Sequence, residues 1–110
     1  MKPSLLTVVV LALNLIGCSQ DPPTVRVRNE RPTEADVQLK PPSGSTINIS
    51  DVAPGATTGY LSVGASNYEV VVNITNVSES PTTFFNAGTD RSYTIVVVNS
   101  TPATVRVDAP

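Results

Sequence analysis

The residue types that do most enzymatic chemistry are nearly absent from this chain. Its 110 residues include one Cys, Cys18, and no His or Trp. Without His, no Ser-His-Asp or Cys-His relay can form, because no side chain titrating near neutrality can take a nucleophile's proton. A lone thiol with no imidazole cannot build a zinc site, which draws on several such ligands. Gly44, Gly55, Gly59 and Gly64 fall at expected turns or strand starts rather than in a phosphate-cradling loop. Carboxylates remain, with Glu30, Glu34 and Asp36 grouped around Arg31 and Pro32. A glycosidase needs two acids in a shaped cleft, and so small a domain, with no Trp to line a sugar site, is poorly suited to one. The regular ligand spacing of a calcium loop is missing too. The expectation is a solvated acidic loop, with no catalytic residue, no metal and no cofactor. Four Asn-x-Ser/Thr segments begin at Asn48, Asn73, Asn76 and Asn99. They carry meaning only in a eukaryotic secretory pathway.

Cys18 suits a different chemistry. It stands where an apolar run, Leu5 to Ile16, gives way to Ser19, Gln20, Asp21, Pro22 and Pro23. Lys2 precedes the run, and the small Gly17 follows it. A charged start, a short apolar centre and a small residue at the end make a secretory signal peptide. The run is shorter than the ~20 apolar residues that span a bilayer. Leu15-Ile16-Gly17-Cys18 resembles the lipobox of bacterial lipoproteins. That resemblance implies cleavage between Gly17 and Cys18, and a diacylglycerol thioether on the Cys18 sulfur. It also implies acylation of the new amino group, and two or more acyl chains anchor stably where one does not. Ser19 is not the Asp that retains enterobacterial lipoproteins at the inner membrane. The resemblance therefore favours the outer membrane where there is one.

Seven Lys and Arg face nine Asp and Glu, a net charge of −2. Loss of Lys2 with the signal makes the rest one unit more acidic. This argues against nucleic acid or an anionic membrane face as the main partner. The membrane contact would run through the lipid on Cys18, and envelope proteins or polysaccharide would be the remaining partners.

The elements that must carry these residues are strands. Alternation with period two runs through "TVRVRN" (24–29), "DVQLK" (36–40), "TINIS" (46–50), "GYLSV" (59–63), "NYEVVVNIT" (67–75), "TTFFN" (82–86), "SYTIVVVN" (92–99) and "ATVRVDA" (103–109). Val25 and Val27, Val37 and Leu39, Ile47 and Ile49, and Leu61 and Val63 should each share an inner face. So should Tyr68, Val70, Val72 and Ile74, then Tyr93, Ile95 and Val97, and last Val105 and Val107. Val96 and Val98 add an apolar second face to one segment, which marks a central strand. Phe84 and Phe85 are adjacent, so a regular strand would turn one outward, where it could bind. The favoured expectation is a bulge or strand end that buries both. Pro54-Gly55 fits the centre of a type II turn. Pro41-Pro42-Ser43-Gly44, Gly64-Ala65-Ser66-Asn67 and Gly88-Thr89-Asp90 supply other breaks. Such spacing predicts a single all-β antiparallel sandwich of seven or eight short strands. The domain reading is 1–17 signal peptide, 18–23 lipidated Cys and short tether, and 24–110 sandwich.

"VRVRNERPTEADVQL", "DVAPGATTGYLSVGASNYEVVV" and "FNAGTDRSYTIVVV" together resemble the domain of unknown function 4397 family, over about residues 24 to 99. That resemblance implies an immunoglobulin-like sandwich in an extracytoplasmic bacterial protein, without catalytic residues. Ser66 stands where the family's tight turn tends to have Gly, so a left-handed conformation would fall more cheaply on Asn67. "DVAPGATTGYLSV" is more weakly similar to the alginate O-acetylation accessory protein F family. That implies an alternative role as a non-catalytic periplasmic factor in exopolysaccharide modification.

Overall fold

A computed structural model describes residues 20–110. The signal-peptide and lipobox expectations, Gly17 and Cys18 included, lie outside the described residues. Eight strands form: β1 Thr24–Asn29, β2 Ala35–Lys40, β3 Ile47–Val52, β4 Leu61–Ser62, β5 Ser66–Ile74, β6 Thr82–Ala87, β7 Ser92–Val98 and β8 Thr104–Asp108. They make two four-stranded sheets, ordered β4-β1-β7-β8 and β3-β2-β5-β6. The molecule is thus the all-β sandwich that the alternation predicts. One correction applies to the antiparallel expectation, because β1 and β7 run parallel, paired from Thr24↔Ser92 to Asn29↔Val97.

Period two explains why these segments pair as they do. Val25, Val27, Val37, Leu39, Val70, Val72, Ile95 and Val97 are fully buried between the sheets. Ile47, Ile49, Val105 and Val107 are half-buried against that core. Burying one such side chain contributes about 1.5–3 kcal/mol, so a period-two run fixes which face of each strand turns inward. β7 lies between β1 and β8, and Val96 on its second face is also buried, as a central strand requires. Ala53-Pro54-Gly55-Ala56 forms the turn after β3. The Ala56 amide donates to the Ala53 carbonyl at 3.1 Å, and Gly55 takes φ +73°, which a type II turn demands at its third residue.

Three local expectations fail. "GYLSV" shrinks to the two-residue β4, and Leu61 is 42% exposed because it lies on a sheet edge where no layer covers it. Phe84 and Phe85 are not both buried. β6 pairs with β5 in unbroken register from Ser66↔Ala87 to Val71↔Thr82, so strict alternation turns Phe84 outward at 72% exposure. Neither Ser66 nor Asn67 takes positive φ; both already belong to β5.

The loops gather at two poles. One carries Asp21–Pro23, the β2–β3 loop, the β4–β5 link and the Gly88–Arg91 turn. The other carries Glu30–Glu34, the turn after β3, Thr75–Pro81 and Asn99–Ala103. Contacts at the first pole start before β1. The Asp21 amide donates to Asp90 Oδ1 at 2.8 Å, the Asp90 amide donates to the Asp21 carbonyl at 2.9 Å, and Pro23 is buried.

Candidate functional site

The acids read as one loop cluster are dispersed. Glu30 faces Arg28 at 3.6 Å across a solvent-exposed gap. Asp36 is committed to backbone: its Oδ1 accepts from the Asp51 amide at 2.7 Å, where β3 bulges against β2 and Asp51 takes φ 56°. Glu34 is exposed and contributes its carbonyl to the Thr75 amide. No group of three or more acids, thiols or imidazoles comes together among the described residues.

Two polar residues that the sequence reading passed over organise the second pole. Asn29 is fully buried. Its Nδ2 donates to the carbonyls of Thr33 at 2.8 Å and Val52 at 3.0 Å, and its Oδ1 accepts from the Arg31 amide at 3.0 Å. Arg31 Nη1 donates to the carbonyls of Val98 at 3.1 Å and Ser100 at 3.0 Å, while its Nε is covered without a hydrogen-bond partner. Together they tie the β1–β2 loop to β3 and to the β7–β8 loop. A cleft of about 290 Å³ opens there, lined by Arg31, Asn76, Ser78, Glu79, Ser100 and Thr101. Its hydroxyls have no imidazole to activate them. The arrangement can hydrogen-bond a partner, and it has no assembled acyl-transfer machinery.

The first pole is tied by tyrosines. Tyr68 Oη donates to the Gly64 carbonyl at 2.7 Å, and the Gly88 amide donates to Tyr93 Oη at 2.8 Å. Phe85 lies between them, 5.8 Å from the Tyr68 ring and 5.1 Å from the Tyr93 ring. Beside this cluster, on the outer surface, Phe84, Pro41, Pro42 and Glu69 line a shallow depression of about 250 Å³.

Asp21, three positions after Cys18 in the sequence, is the first of the described residues with a hydrogen bond into the domain. The chain matches no protein-family model, and no curated protein is significantly similar to it.

Proposed function

We propose that the chain is a lipid-anchored, non-enzymatic β-sandwich of the cell envelope, acting as a structural or binding module. The observation that supports this reading is the seating of Asp21 and Pro23 in the fold a few residues after Cys18. An acylated Cys18 would hold the first pole at the bilayer and leave the second pole, with the Arg31 cleft, directed away from it. Among the described residues, the buried cluster runs from Val25 to Ala103 and contains no thiol. Two or more acyl chains at that point would anchor the whole domain.

The test is Cys18→Ala in cells fed a labelled fatty acid. The wild-type chain should take up label and sediment with membranes. The variant should lose both while keeping the far-ultraviolet circular dichroism of a β-sandwich. A variant that still takes up label, or that still sediments with membranes, overturns the anchor. Hydrolysis of a glycoside or ester by the purified full chain would overturn the non-enzymatic reading.

A further inference from the structure

Three of the basic side chains in the described residues share one surface, the outer face of the β4-β1-β7-β8 sheet. Arg26 and Arg28 alternate outward from β1, opposite the buried Val25 and Val27, and Arg106 points outward from β8. Register places Arg28, Val96 and Arg106 in one row across β1, β7 and β8, and Arg26, Thr94 and Asp108 in the next. Val96 is fully buried although it faces outward. The side chains in register on either side of it are Arg28 and Arg106, whose long stems can cover it while their charged ends stay in water. The strands flanking β7 are about 10 Å apart at the backbone. Arg28 and Arg106 therefore stand on either side of Val96, near enough for one extended anionic ligand to reach both.

Arg26 is set beside this pair. Its Nε donates to Thr94 Oγ1 at 3.0 Å, and its guanidinium lies 4.8 Å from the centre of the Tyr60 ring. Tyr60 itself is 51% exposed. Thr24 and Ser92, bonded to each other through their hydroxyls at 2.8 Å, complete the same face. A cleft of about 290 Å³ runs over part of it, lined by Arg26, Arg28, Tyr60, Ser92, Thr94 and the Arg106-paired Asp108.

We propose that this face binds the carboxylates of an acidic polysaccharide. Charge complementarity carries the argument: a chain of net −2 keeps three cations on one sheet face. Two of them have acidic neighbours, Glu30 at 3.6 Å and Asp108 at 3.0 Å, but these pairs are about half exposed. Such pairs are worth ~0–1 kcal/mol, so a better-placed carboxylate can displace them. Guanidinium groups fork onto carboxylates with two parallel hydrogen bonds. The Tyr60 ring offers a flat apolar plate to the C–H face of a sugar ring, and the hydroxyls of Thr24, Ser92 and Thr94 match sugar hydroxyls. Three partly compensated arginines are too few to neutralise a run of phosphates, which makes nucleic acid the poorer match. The inference rests on reading the domain as a binding module, and it does not depend on the anchor.

The test uses the full chain in a mild detergent, titrated with polygalacturonate, neutral dextran, duplex DNA, and vesicles of phosphatidylglycerol and phosphatidylcholine. Polygalacturonate should bind, dextran, DNA and vesicles should not, and raising NaCl about tenfold should weaken binding through screening. Arg28→Gln with Arg106→Gln should weaken polygalacturonate binding about tenfold, equivalent to roughly 1.4 kcal/mol. Tyr60→Ser should weaken it several-fold. Lys40→Gln, on the other sheet, should leave it unchanged. Should the glutamine pair fail to fold, Arg28→Lys with Arg106→Lys keeps stems and charge but removes the fork, and should still lose affinity. The proposal fails if polygalacturonate does not bind, if DNA or vesicles bind as well, or if the folded face variants bind like the wild type. Cys18→Ala separates this result from the anchor. A variant that no longer partitions into membranes yet still binds polygalacturonate supports both readings. One that binds but stays on membranes removes only the anchor.

Discussion

At the scale of single residues, the most consequential side chain is Asn29. It continues the inner face of "TVRVRN" after Val25 and Val27, where a polar residue gave no sign of being core. What the sequence did not display was that a polar residue there would be fully buried and fully bonded, because its partners are carbonyls from Thr33 and Val52, remote in the chain or beyond a turn. Removing it strands those carbonyls and the Arg31 amide without water, at about 1–3 kcal/mol for a stranded buried group. Asn29→Ala should therefore cost about 3 kcal/mol or more in urea unfolding. A midpoint within error of the wild type would show that the second pole is held by other means. Gly55 is the opposite case, since Pro54-Gly55 announced both its turn and its φ. Gly55→Ala should cost about 1 kcal/mol, because a Cβ strains a left-handed backbone; the space around it is open, so strain alone would be measured.

At the scale of elements, strand existence and most inner faces were legible, Leu61 and Phe84 being the exceptions, and strand ends were not. Burial of alternate apolar residues is a local signal, repeated along each strand, and it identified all eight segments. The β3 bulge was invisible because it depends on a cross-strand event, Asp36 receiving the Asp51 amide. The same limit produced the error at "TTFFN". Two adjacent phenylalanines suggested a local irregularity, whereas the ladder with β5 stays regular and exposes one ring. The two positions should then respond differently. Phe84→Thr should change stability by no more than ~0.5 kcal/mol, in line with exposed sites. Phe85→Ala removes a ring packed between Tyr68 and Tyr93 and should cost about 2 kcal/mol or more. Equal effects in thermal melts of the two variants would contradict the alternation. The candidate site divides along the same line. The reading of Cys18 rests on its neighbours in sequence and lies outside the described residues, while the arginine face needs the register of β1, β7 and β8.

At the scale of the whole molecule, net charge is a sum over surfaces that the fold keeps apart. A total of −2 argued against nucleic acid or an anionic membrane face as the main partner, and within that total three arginines share one sheet face. The parallel pairing of β1 with β7 joins the first strand to one near the other end of the chain, so the β4-β1-β7-β8 sheet cannot be completed by a contiguous part of the sequence. Unfolding should accordingly be a single cooperative transition. Circular dichroism and tyrosine fluorescence should give coincident urea curves, and separated curves would mean that the sheets melt independently.

The β1–β7 pairing also sets how the domain would bear a load. A pull on the chain ahead of Asp21, with the far end of the sandwich held fast, acts along the axis of β1. Because β7 lies alongside in parallel, that force slides one strand past the other instead of peeling it away. All the rungs from Thr24↔Ser92 to Asn29↔Val97 would share the tension at once. A strand attached at a right angle would surrender its bonds one at a time. The first strand is thus placed where a tethered domain under traction would resist most.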